Sequence, residues 1–125
     1  MLNIQERKND FMFDLNEFCK KSFEVAKARQ DNGGKIDVNT LPMLKHCATE
    51  IIEAMNAYDK LRYSTYDYYD EIDFQNFQKN FEDELADIMS CCIIIAGNEG
   101  IDLESVLNRC YERNKLRSEN KGDKK

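Results

Sequence analysis

The chain is poor in residues that punctuate structure, with one proline and five glycines among 125 residues. So few breakers leave little for turns, and a small number of long helices is expected. Tryptophan is absent and histidine occurs once, as His46. A single imidazole with no clear partner argues against Ser/His/Asp and Cys/His nucleophilic sites. No glycine-rich loop follows a strand pattern, which excludes P-loop and dinucleotide fingerprints. The longest apolar run, Cys91 to Gly97, falls far short of the roughly 20 residues a membrane span needs. The start, Met1 to Lys8, lacks the apolar stretch of a secretory leader. The five cysteines, Cys19, Cys47, Cys91, Cys92 and Cys110, are odd in number and contain no C-x-x-C spacing. Neither a disulfide framework nor a zinc knuckle follows. Reduced thiols packed as small hydrophobes fit a cytoplasmic location.

What the chain does have is charge. Charged residues make up 34% and hydrophobic residues 42%, a balance that suits one folded domain. Acidic residues outnumber basic ones 24 to 18, for a net charge of −6. Non-specific nucleic-acid binding, which needs Lys and Arg on phosphates, is therefore not expected. A small phosphate-bearing molecule held through a metal ion is compatible with this charge.

Apolar periodicity predicts four helices and an all-α fold. The first spans about Ile4 to Arg29, with Phe11, Leu15, Phe18, Cys19, Ser22, Val25 and Ala26 in one arc, and stops at Gln30–Gly34. The second starts near Asn39 or Thr40 with Pro42 in its first turn, and fades after Arg62. Its apolar face carries Met43, Leu44, Cys47, Ile51, Ala54, Met55, Tyr58 and Leu61. The segment Tyr63–Asp70 alternates tyrosines with polar residues and reads as a loop or frayed turn. The third helix spans about Asp73 to Asn98, with Phe74, Phe77 and Phe81 as a core ladder and Gly97 and Gly100 as its stop. The fourth begins at Asp102 as N-cap and runs through Arg117. The expected domain is residues 1–117, a four-to-five-helix bundle, followed by a disordered polar tail over 118–125. Two helices near 25 residues are each roughly 38 Å long, more than one short chain can cover. A homodimer or homotetramer is expected to complete the core.

Two acidic pairs stand out, Glu50-Ile-Ile-Glu53 and Glu84-Leu-Ala-Asp87. A spacing of three puts both carboxylates on one side of a helix. The pairs Asp14/Glu17, Asp67/Asp70 and Glu99/Asp102 share it, so spacing alone is weak. Phase separates them. With Glu50 at zero on the wheel, Met43 and Leu61 fall near about +20° and Ala54 near about +40°. With Glu84 at zero, Cys91 falls near about −20°, Ile88 near about +40° and Asp87 near about −60°. Glu50 thus lies inside its helix's apolar face with Glu53 at the edge, and the geometry repeats at Glu84 and Asp87. Four carboxylates at one helix–helix interface repel and lose hydration, which a divalent cation relieves. Oxygen-only ligands suit Mg²⁺ or Mn²⁺. The plainer alternative is a set of boundary carboxylates paired with Lys or Arg.

In order and spacing, these motifs resemble the all-α nucleotide pyrophosphohydrolases, the MazG-like superfamily. The likeness covers roughly Leu41 to Arg117. It includes Glu50-x-x-Glu53, Glu84-x-x-Asp87, the turn Gly100-Ile-Asp-Leu-Glu104 and the ending Arg113-Asn114-Lys115-Leu116-Arg117. The chain departs from that pattern at Thr49, where a Glu is usual, at Cys110, where a Lys is often found, and in a longer gap between the acidic motifs. The resemblance implies a Mg²⁺-dependent hydrolysis of a nucleoside triphosphate to monophosphate and pyrophosphate. It further implies that Glu50, Glu53, Glu84 and Asp87 bind metal and that Glu53 takes the proton of water. Asn114 and Arg117, helped by Lys115 or Arg113, would bind phosphate. His46 lies one turn before Glu50, either as a base or phosphate contact or as a boundary histidine. Tyr58 is expected to pack; the other tyrosines are open between stacking and packing. A di-iron bundle is disfavoured because it needs Glu-x-x-His pairs. A non-catalytic helical interaction protein derived from the same fold is the remaining alternative.

Overall fold

A computed structural model describes residues 13–63 and 71–119, and these are all-helical apart from short connections. Helix α1 spans Leu15–Asp31, α2 Thr40–Tyr63, α3 Glu71–Glu99 and α4 Leu103–Glu119. The all-α expectation holds, and no described helix is long and apolar enough to cross a membrane. The segment 64–70 and the ends of the chain lie outside the described residues, so the readings of 64–70 and of residues 120–125 are not addressed. Ser118 and Glu119, expected in the tail, continue α4.

Local chemistry sets the helix ends. The first helix was expected from Ile4, but Phe13 and Asp14 are not helical. Asp14 is the N-cap, its carboxylate accepting from the Glu17 amide at 3.0 Å. α1 ends where Gly33 takes a positive φ of 85°. At the start of α2, the Asn39 carbonyl accepts from the Met43 amide, while the Asn39 side chain turns back to Asp37. α3 runs through Gly97 and stops only at Gly100, which has a φ of 65°. Asp102 caps α4 by accepting from the Ser105 amide at 3.0 Å.

The longest helix, α3, is the spine. α2 packs along one side of it and α1 along another, and α4 packs chiefly on α1. α2 and α3 are antiparallel. Thr40 bonds Glu99 at one end, Cys47 meets the Ile88 carbonyl midway, and Tyr58 packs on Phe81 with ring centroids 5.3 Å apart towards the other. The core joins Ala26, Val38, Met43, Cys47, Cys91 and Ile94, with Phe23, Ile36, Ile88 and Ile95 against it. Val38 is drawn in from the α1–α2 connection, where its amide donates to the Gln30 side chain at 2.8 Å.

Three packing expectations are corrected. α1 buries Cys19 and Ala26 with Phe23 beside them, whereas Val25, assigned to its apolar arc, is 70% exposed. Phe77 and Phe81 are half-buried, but Phe74 at the top of the expected ladder is exposed. All five thiols are free, yet only Cys19, Cys47 and Cys91 are buried, Cys110 is half-buried and Cys92 is exposed.

Candidate metal centre

The antiparallel pairing of α2 and α3 brings Glu50 opposite Glu84. One carboxylate oxygen each from Glu50, Glu84 and Asp87 lie within 4.8 Å of one another. Glu50 is the buried member, only 8% exposed, with Glu84 half-buried and Asp87 exposed. The outer Oε1 of Glu50 meets His46 Nε2 at 3.0 Å. Its other oxygen, Oε2, is buried without a hydrogen-bond partner, and so is Glu84 Oε2. Facing carboxylates are all acceptors, so a donor or a cation is missing from the space between them.

The electrostatics agree with the geometry. Burial first, then the adjoining Glu84 carboxyl and the charges of Glu53 and Asp87, push the Glu50 pKa up from 4.5 to about 7. A cation in that space reverses each of these causes. Carboxylate-only donors on two rigid helices suit a hard divalent ion such as Mg²⁺ or Mn²⁺. The orphaned buried oxygens of Glu50 and Glu84 thus fit a metal ion, although such a triad does not identify which one.

The remaining expected site residues are divided. Glu53 is exposed one turn beyond Glu50 and adds to its charge, but it is not among the three converging oxygens. His46 is exposed and joins the carboxylates through Glu50. The sequence reading missed what shares their cavity. A space of about 360 Å³ opens beside the triad, and Arg29, Ile36 and Ile94 line it together with His46, Glu50 and Asp87. None of Arg113, Asn114, Lys115 and Arg117 lines it. All are exposed on α4, where Asn114 extends its amide to Cys110 Sγ at 3.7 Å.

Comparison of the chain with family models, curated proteins and solved structures finds no match.

Proposed function

We propose that this chain is a Mg²⁺-dependent nucleoside triphosphate pyrophosphohydrolase, releasing a nucleoside monophosphate and pyrophosphate. The observation that carries the reading is the buried, donor-less meeting of Glu50 and Glu84 with Asp87 alongside. The order of the acidic and C-terminal motifs supplies the reaction class. Bound Mg²⁺ supplies positive charge at the phosphate oxygens and a more acidic water. The chain's own residues do the rest. Glu50, Glu84 and Asp87 hold the ion. Glu53, exposed and outside the converging set, accepts the proton of the attacking water on a carboxylate oxygen. The water oxygen bonds to phosphorus as the anhydride bond between the α- and β-phosphates breaks, giving the nucleoside monophosphate and pyrophosphate.

The working form in this reading is a cytoplasmic homodimer or homotetramer. The exposed apolar side chains of α2, α3 and α4 support it, and the five free thiols suit a reducing compartment. Asn114 and Arg117, assisted by Lys115 or Arg113, then contact phosphate from the α4 of a second copy. A pyrophosphate-release screen of the common nucleoside triphosphates tests the reaction. Release from at least one of them, abolished by EDTA, is expected. No release from any of them with Mg²⁺ or Mn²⁺ overturns it.

A further inference from the structure

The cavity beside the carboxylates does not end at Arg29. It runs into an apolar trough of about 410 Å³ between α1 and α3, walled by Phe18, Val25, Ala26, Ile36 and Ile94. Arg29, Ile36, Ser90 and Ile94 line both spaces. A smaller hollow of about 190 Å³ adds Lys35 beside Arg29 and His46. Arg29 therefore stands where three hollows meet, on the same cavity as Glu50 and Asp87. It is exposed, and among the described residues its guanidinium has neither an ion-pair nor a hydrogen-bond partner. In a chain with six more acidic than basic residues, an Arg left unpaired on a cavity wall is available for an external anion. Its planar fork suits phosphate oxygens, which it can grip in pairs.

We propose that Arg29 grips the phosphate chain of the ligand and that the trough between α1 and α3 takes its nucleoside. The assignment rests on the metal-dependent nucleotide reading above and adds to it a direction and two determinants. A cation held by the carboxylates and a guanidinium lining the same cavity are two positive groups that a polyanion can bridge. Beyond Arg29 the walls are mostly aliphatic and aromatic, with Lys21, Ser22 and Ser90 the polar members, which suits a ligand part with apolar faces and a few polar edges, as a nucleobase has. The cavity of about 360 Å³ and the trough of about 410 Å³ are each within the usual size of a small-molecule site, roughly 300–1,000 Å³. Arg29 thereby does within one chain the phosphate-binding work that the C-terminal residues of α4 do not do there.

The test is binding by the full-length protein in Mn²⁺, using inorganic tripolyphosphate and α,β-imido analogues of the common deoxynucleoside triphosphates. At least one nucleotide analogue should bind about tenfold or more tighter than tripolyphosphate. Arg29→Gln should weaken both probes by about 10–100-fold, with part of the loss recovered in Arg29→Lys. Val25→Asp, at an exposed position of the trough, should weaken the nucleotide and leave tripolyphosphate unchanged. Mn²⁺ binding without phosphate, followed by electron paramagnetic resonance, should be the same in all variants. Tripolyphosphate binding indifferent to Arg29→Gln overturns the grip. Equal affinity for tripolyphosphate and every nucleotide, or indifference to Val25→Asp, overturns the trough. Arg29-dependent binding without hydrolysis of any nucleotide would sink the proposed reaction and leave the binding assignment standing.

Discussion

A carboxyl buried against other carboxyls keeps its proton more tightly folded than unfolded, and at Glu50 this has a measurable sign. With its pKa raised from 4.5 to about 7, the folded state holds a proton that the unfolded chain releases across that window. The stability this contributes is complete below about pH 4.5 and is lost as pH rises through about 7. Metal-free protein should therefore melt lower at pH 8 than at pH 5.5, and excess Mg²⁺ should reverse the difference at pH 8. Glu50→Gln, which keeps His46 in place, should flatten the pH dependence and remove the Mg²⁺ shift. A Tm in EDTA that rises from pH 5.5 to 8 would contradict the assignment. Asp102 carries the opposite sign, because bonds from Asn16 and the Ser105 amide lower its pKa, so its contribution fades only at more acid pH. At the reaction, Glu53→Gln, Glu84→Gln and Asp87→Asn should each abolish pyrophosphate release while the apo Tm stays the same or rises. A salt-bridged structural carboxylate would instead lose stability on the same change, and wild-type release in any variant would remove that residue from the site. Glu50 and Glu84 were legible in the sequence because helical phase alone puts them on apolar faces. Arg29 was not, because its distance from the carboxylates depends on how the connection through Val38 folds α1 back beside α3.

At the scale of the helices, sequence signals located α2, α3 and α4 to within a few residues, since Pro42, Gly100 and Asp102 mark ends by backbone chemistry. They misjudged Gly97, because a glycine that stops a helix and a glycine that lets another helix approach look alike in sequence. Gly97 lies within α3, and a Cβ there would stand 2.6 Å from Phe23 Cβ and 2.7 Å from the Cys19 carbonyl oxygen. Alanine gains about 1 kcal/mol over glycine in helix propensity, while overpacking against a backbone carbonyl costs about 1–3 kcal/mol. The clash wins, so Gly97→Ala should lower Tm; a rise would show that α1 and α3 separate freely. The burial of α1 was misjudged for a related reason. A wheel gives the width of an apolar arc, and the neighbour decides which edge of it is covered. One side chain that no pattern flagged ties α4 to α1 by hydrogen bonds. Asn16 donates to Asp102 at 2.8 Å and accepts from the Glu104 amide at 3.2 Å. Asn16→Ala should cost about 1–2 kcal/mol. Hydrogen exchange should quicken in α4 and remain slow in α2 and α3; uniform quickening would mean that α4 is an integral part of one cooperative unit.

In the whole molecule, one set of the uncovered apolar side chains of α2 and α3 falls into a pattern, with Leu41, Ile52 and Ile72 outside it. Measured from Glu50, which points at α3, the exposed Leu44, Ile51, Met55 and Tyr58 all sit about 80–140° round α2. Measured from Glu84, which points back at α2, the exposed Phe74, Leu85 and Cys92 sit about 80–100° round α3 in the same sense. For antiparallel helices, equal rotation in the same sense carries both sets to the same side of the pair. The result is one apolar face shared by two helices, and α1 packs on a different side of α3, where Phe23 and Cys19 approach Gly97. Two such faces laid together make a four-helix bundle whose core is built from α2 and α3 of both copies. An apolar patch that met its own copy would close by twofold symmetry and would need no second protein. Light scattering at micromolar concentration should therefore give at least the dimer mass. Met55 is 63% exposed and Ile51 45%, so charges there cost the single chain little. In a dimer the same charges are buried without partners, which is far more costly. Ile51→Glu with Met55→Glu should yield a folded helical monomer by circular dichroism and scattering, with pyrophosphate release reduced if phosphate contacts come from a second copy. A wild-type monomer, or a double variant that stays dimeric, would show that this face is not where the copies meet.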